Sequence, residues 1–162
     1  MPDRTSANRR ATLTLLGTIV VLFVAVGAIV DVLVGLLPIL TIVMLALGLA
    51  VAWYVRRSGP TRVLKVTGAT VADPDGYQRL HNLVEGLCLA NGLPKPAVLV
   101  VADDAPNSFS VGIDQRSSSL VVTTGLVSMM NRVELEGVVA HELSHIRSGD
   151  TLLGGTVAAL LG

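Results

Sequence analysis

The residues best suited to do chemistry lie in the pentapeptide His-Glu-Leu-Ser-His at positions 141–145. On an α-helix, His141 and His145 lie about 40° apart around the axis and about 6 Å apart along it, so both imidazoles can reach one tetrahedral Zn²⁺. Glu142, beside the first histidine, can take a proton from the water that the metal activates. The spacing therefore predicts metallopeptidase chemistry, with His141 and His145 as zinc ligands and Glu142 as the general base.

A catalytic zinc site needs a third protein ligand, and the nearby acids fit that role poorly. Glu134 is about 10 Å from His141 along the helix, which is too far, and Glu136 points to the opposite side. Asp150 follows His145 by five residues, whereas metzincins place their third ligand six residues after the second histidine. We therefore expect Asp150 to support the site or to end the helix, without binding the metal itself.

The elements around this pentapeptide predict an α+β domain over residues 73–150. Asn131 and Glu134 match a capping box, which predicts where the catalytic helix begins. Asp73-Pro74 predicts the start of an earlier helix, and Asn91-Gly92 predicts its end. Apolar runs bounded by turn residues predict strands at 97–101, 108–113 and 119–124, followed by a short helix over 125–130.

The segment 107–112 is the predicted substrate-binding edge of the sheet. Peptidases hold the scissile bond in extended form, and a free sheet edge can do this by strand addition. We expect Phe109 and Val111 to pack on the core, and the final glycine to permit close backbone approach. The residues expected at the substrate are Asn107, Ser108, Phe109, Ser110 and Gly112. The alternative is an ordinary core strand in which Phe109 only fills space.

The N-terminal third of the chain has the composition of a membrane anchor. The chain is 51% hydrophobic and 15% charged, and Asp31 is the only charged residue between Ala11 and Val55. Residues 11–30 and 36–55 each reach about 30 Å as helices, which is the thickness of a bilayer's hydrocarbon core. They predict a transmembrane hairpin; a hairpin buried in a large soluble core would not need such long uncharged stretches. Residues 151–162 are again uncharged and predict the start of a third span.

The cations predict how this hairpin is oriented. Three of them precede the first span and four follow the second: Arg4, Arg9, Arg10, Arg56, Arg57, Arg62 and Lys65. By the positive-inside rule, the tail 1–10, a basic linker over 56–72 with a short strand around 63–66, and the domain after it lie in the cytoplasm. We thus expect a multi-pass protein of the inner (plasma) membrane. Charged residues close to the pentapeptide argue against an intramembrane protease, since charge is costly in hydrocarbon.

The composition also argues against a nucleic-acid-binding protein and against an internal disulfide. The net charge is zero and aromatic residues make up 3%, so we expect no nucleic-acid partner. The single cysteine, Cys88, cannot form an internal disulfide and is expected in the core, while His81 is expected to be an ordinary surface residue. The sequence does not indicate an oligomeric state.

Residues 73–150 resemble the HtpX family of membrane-bound zinc metalloproteases, which are relatives of the CAAX prenyl endopeptidases. The similarity is carried by four segments: Gly92-Leu93-Pro94-Lys95-Pro96, the stretch 106–112, the stretch 121–126, and the stretch 134–140 that leads into His141. Ser108 and Ser110 stand where the family usually has alanine.

The resemblance implies a zincin-like metalloprotease domain with one Zn²⁺ per subunit, bound by His141 and His145. It implies a third ligand, a glutamate beyond two further spans, which would lie past Gly162 and leave the domain incomplete here. The implied substrates are polypeptides, membrane proteins or misfolded ones, cleaved on the cytoplasmic side in quality control during stress. The alternative from a different class is a non-catalytic membrane fragment or pseudoprotease that binds zinc poorly.

Overall fold

The computed structural model describes residues 4–35, 38–149 and 151. Its elements in chain order are α1 Arg4–Val34, α2 Ile39–Val66, β1 Thr70–Val71, α3 Gln78–Asn91, β2 Ala97–Val101, β3 Ser108–Gly112, β4 Ser118–Thr123, α4 Thr124–Met129 and α5 Arg132–Ser148. A helical hairpin followed by a small α+β unit confirms that part of the predicted fold class, whereas the zincin-like fold stays a prediction. Asp150 and residues 152–162, most of the predicted third span, lie outside the described residues.

Helices α1 and α2 form a closely packed pair. By length and composition, both are long and apolar enough to cross a membrane. A Cβ added to Gly27 would lie 2.8 Å from Cα of Thr41, and one added to Gly48 would lie 3.2 Å from Cβ of Phe23. Small residues at these two points therefore let the helix backbones approach closely, as is common between membrane helices.

Asp31 joins the two helices at the turn of the hairpin. Pro38, which precedes α2, offers no side-chain cap. Instead, the Asp31 carboxylate accepts hydrogen bonds from the backbone N–H of Leu40 at 3.2 Å and from the N–H and hydroxyl of Thr41 at 2.8 and 2.6 Å. The only charged residue of this apolar stretch thus satisfies N–H groups in the first turn of α2, which would otherwise have no partner.

The helix α2 continues well past the apolar span, so the short strand predicted around 63–66 is wrong. Charges after position 55 end the stretch that suits lipid, but Arg and Lys are good helix formers and do not end a helix. Contacts along its surface accompany the extension: Arg57 lies 5.7 Å from the ring centroid of Trp53, and Arg62 donates to the Tyr54 hydroxyl at 2.9 Å. Pro60 is accommodated within the helix.

The sheet has the strand order β1-β2-β4-β3. Strands β2 and β4 run parallel, and the two outer strands pair antiparallel to them. Helices α3 and α5 contribute to one core with the sheet, whose fully buried members include Leu80, Val84, Leu120, Val122, Leu135 and Val139. Because no strand of the described residues pairs with the outer side of β3, the predicted edge position of this strand is confirmed.

The start of α3 differs from the prediction, while its end agrees with it. Asp73 does not cap the helix directly: its carboxylate accepts from the N–H of Gly76 at 3.0 Å, and the helix begins only at Gln78. Aspartate side chains that bond to nearby backbone offer the chain a turn in place of a helix, which explains the delay. Gly92 ends the helix in the left-handed conformation, with φ of 63°.

Candidate active site

The helix α5 carries the pentapeptide 141–145 and begins at the predicted capping box. Asn131 Oδ1 accepts from the N–H groups of Val133 and Glu134 at 2.9 and 3.0 Å, and Glu134 Oε2 accepts from the N–H of Asn131 at 2.9 Å. The Glu134 carboxylate is therefore occupied at the start of the helix, in agreement with its exclusion as a metal ligand.

The apolar stripe of α5 determines which way the pentapeptide faces. Leu135, Val139, Leu143 and Ile146 are buried at helical spacing against the sheet and α3. Glu142 is next to this stripe and is 8% exposed, whereas His141 is exposed. The helix thus places the carboxylate against the sheet and the first histidine toward the surface.

The two histidines converge on one point. Their Nε2 atoms are 3.2 Å apart, and the rings meet edge to face, with an interplanar angle of 87°. Two nitrogens that each lie about 2.0–2.1 Å from a tetrahedral Zn²⁺ are separated by about 3.3 Å. The two nitrogens are therefore spaced as two ligands of one tetrahedral metal ion would be.

A third ligand is not found in the part of the chain that the structure describes. No group of three or more His, Cys, Asp or Glu residues there is arranged to hold a metal ion. The remaining histidine, His81, is half-buried, with Nε2 3.0 Å from the carbonyl oxygen of Ala72. Its ring is therefore engaged with the backbone next to β1.

Glu142 lies under β3 and is bonded to it. Ser108 Oγ donates to Glu142 Oε1 at 2.9 Å, and Ser110 Oγ lies 3.5 Å from the backbone carbonyl oxygen of Glu142. Farther along, Gln115 Nε2 donates to the carbonyl of Arg147 at 3.0 Å. Side chains from β3 and from the turn after it thus hold α5 through three contacts, two at Glu142 and one at Arg147.

The faces of β3 are the reverse of what the sequence predicted. Ser108 lies opposite Val122 in the antiparallel register, and Ser110 lies opposite Leu120. Directly opposed residues share a face, so the two serines are on the core side, toward α5. Phe109 and Val111 lie on the other face, where Val111 is buried and Phe109 is half-buried.

The outer edge of β3 is the side that faces away from β4. The N–H of Thr123 donates to the carbonyl of Asn107, and antiparallel pairs alternate, so Phe109 and Val111 bond to β4. The backbone groups of Ser108, Ser110 and Gly112 therefore point outward. The N–H of Ser108 donates to Asn107 Oδ1 at 2.9 Å, so the N–H of Ser110 is the next outward-pointing donor along this edge.

The predicted reason for Gly112 needs correction. A Cβ at this position would lie 2.7 Å from Cα of Ser118, the residue opposite it in β4. Glycine is required here because β3 and β4 approach each other closely, and this contact explains the residue without any substrate.

Two threonines hold the loop 103–107, which leads into β3; we call them the threonine clasp (Thr123 and Thr124). Thr123 Oγ1 accepts from the N–H of Asn107 at 2.9 Å and donates to the carbonyl of Ala105 at 2.8 Å. Thr124 Oγ1 donates to the carbonyl of Asp103 at 2.9 Å. Sequence reasoning missed this clasp, although two threonines directly after an apolar strand, at the start of a helix, were a visible signal.

The chain also matches known proteins over the region that carries this site. Residues 74–161 match peptidase family M48. A "Protease HtpX homolog" of Caldanaerobacter subterraneus subsp. tengcongensis is 47% identical over 110 residues, which are 68% of this chain and 37% of that protein. Proteins of the same description from Leuconostoc mesenteroides and Streptococcus gordonii are 34% and 32% identical over 95% and 98% of this chain, and these matches take in the hairpin. The chain spans between 37% and 54% of the length of these three curated relatives.

Proposed function

Because this chain belongs to the HtpX family of M48 metallopeptidases, we propose that it carries the catalytic helix of a membrane-anchored zinc endopeptidase. The observation that supports this most directly is the 3.2 Å separation of the Nε2 atoms of His141 and His145. We assign these two residues as zinc ligands and Glu142 as the general base. We assign no third ligand among the residues that the structure describes.

Each residue of the site then has a separate task. His141 and His145 would hold the zinc ion, which would act as a Lewis acid toward the scissile carbonyl and the attacking water. Glu142 accepts the proton of that water and delivers it to the amine of the departing peptide. The outer edge of β3 holds the substrate in extended form beside Glu142, through main-chain hydrogen bonds that do not read side chains.

The proposed substrates are polypeptides at the cytoplasmic face of the membrane, in particular misfolded or membrane-embedded proteins. The support is the combination of two apolar helices with cations that precede the first and follow the second. By the positive-inside rule, this pattern favours a cytoplasmic position for the α+β unit.

Metal content and turnover together test this assignment. The protein, with any natural sequence that follows residue 162, is purified in detergent, and zinc and peptide hydrolysis are measured. Glu142→Gln is expected to keep one zinc per chain and to lose at least about 100-fold in kcat, since general-base catalysis supplies about 10²–10⁴-fold. His141→Ala is expected to lose both zinc and activity.

A third histidine provides the control. His81→Gln keeps a donor for the carbonyl of Ala72 and should keep both zinc and activity. Substantial turnover in Glu142→Gln would refute the proposed mechanism. Zinc far below one per chain in the unaltered protein would favour the alternative, a non-catalytic membrane fragment or pseudoprotease.

A further inference from the structure

The Glu142 carboxylate has two oxygens in different surroundings. Oε1 accepts a hydrogen bond from Ser108 Oγ at 2.9 Å. Oε2 accepts no hydrogen bond among the described residues, and because no buried side-chain oxygen there lacks a partner, this atom keeps some contact with solvent. A side chain that is only 8% exposed thus has one oxygen held by the sheet and one that keeps some contact with solvent.

Ser108 is itself held firmly in place. Its N–H donates to Asn107 Oδ1 at 2.9 Å, and the N–H of Asn107 donates to Thr123 Oγ1 at 2.9 Å. Thr123 is 4% exposed. A continuous series of hydrogen bonds therefore runs from the buried end of β4 to the carboxylate of α5, and such networks fix side-chain geometry.

We infer that Ser108 is a positioning residue: its hydroxyl holds Oε1 of Glu142 and thereby leaves Oε2 oriented to take the proton from water. The inference rests on the proposed function of Glu142. It also changes the role expected for Ser108 from the sequence, because the side chain serves the general base and does not contact the substrate.

Catalysis depends steeply on the position of the reacting group. A Glu142 carboxylate that is free to rotate should therefore lower kcat without weakening substrate binding. Ser108→Ala removes only the hydroxyl, and we expect kcat to fall on the order of tenfold, as for loss of one hydrogen bond to a charged group. KM and zinc content should be unchanged. Ser108→Thr restores a hydroxyl on a side chain that suits a strand, and it should recover most of kcat.

The matched control is Ser119→Ala. Ser119 is a half-buried strand serine opposite Val111, and it lies on the other face of the same sheet. The Ser119→Ala variant should leave kcat unchanged.

A second measurement, which needs no activity, is the unfolding midpoint of Ser108→Ala, Glu142→Ala and the double variant. Because the two side chains are in contact, their effects should be non-additive, whereas Ser119→Ala and Glu142→Ala should add.

The outcomes separate the two proposals. An unchanged kcat in a folded, zinc-loaded Ser108→Ala protein, with Glu142→Gln inactive, would overturn the positioning role alone. A rise in KM at constant kcat would overturn it in favour of substrate contact, and loss of zinc would overturn it in favour of a structural role. Turnover in Glu142→Gln would overturn the general base and the positioning role together.

Discussion

Proline at position 110 tests whether the outer edge of β3 binds substrate. The ladder bonds to β4 are made by Phe109 and Val111, and the N–H of Ser110 points away from β4. Proline fixes φ near −65° and removes one N–H, which an edge strand tolerates on its outer side. Ser110→Pro should therefore leave the sheet intact and remove one outward donor, together with the weak contact of Ser110 Oγ to the carbonyl oxygen of Glu142 at 3.5 Å.

The size of the effect follows from that single donor. A net hydrogen bond contributes about 0.5–1.5 kcal/mol, and 1.4 kcal/mol is a factor of about ten, so KM for an unstructured peptide should rise about 2- to 10-fold. Zinc content should not change, because the N–H that is removed belongs to the outer edge of β3 and not to the helix that carries the histidines. The measurement is initial-rate kinetics of the detergent-solubilised protein, with zinc determined on the same sample.

The opposite edge of the sheet offers a matched control. The N–H of Ala72 donates to the carbonyl of Val98, so the N–H of Val71 points outward from β1 as that of Ser110 does from β3. Val71→Pro should leave KM unchanged, whereas Phe109→Pro should disrupt the pairing with β4 and prevent folding. An unchanged KM in folded, zinc-loaded Ser110→Pro, or an equal rise in both edge variants, would refute substrate binding at β3.

Two further predictions concern packing and topology. Gly125→Ala would place a Cβ against the backbone of Asp104, so we expect the free energy of unfolding to fall by about 1–3 kcal/mol, measured by thermal unfolding. The control is Gly86→Ala, which has open space around it and should not destabilise the protein. Equal stabilities of the two variants would contradict the close contact at Gly125. Cysteines introduced at Ser117 should be labelled only from the cytoplasmic side and those at 32–35 only from the other side, and labelling of position 117 from outside would overturn the orientation.

Local signals in the sequence were sufficient for most elements. The strands were predictable because apolar runs lie between turn residues, and α5 because Asn131 and Glu134 form a capping box. Cys88 was expected in the core and is buried there. The extension of α2 does not follow from composition, because a change from apolar to basic residues marks the end of the stretch that suits lipid and not the end of the helix.

The candidate site was predictable in its residues but not in its pairing. The positions of His141 and His145 on one helix follow from a period of 3.6 residues. That Ser108 faces Glu142, however, depends on the register of β3 against β4, and a shift by one residue would turn every side chain to the other face. No local pattern in the segment 107–112 specifies that register.

The threonine clasp has a consequence for which chains could be cleaved. It fixes the start of β3, so under the proposed mode of binding the edge is a rigid template and the incoming chain alone must become ordered. An already unfolded segment loses about 1–2 kcal/mol of backbone entropy for each residue fixed. A segment inside a native domain must first be released, against a stability of about 5–15 kcal/mol. Such an edge would discriminate by conformation alone, so that local unfolding is itself the recognition signal.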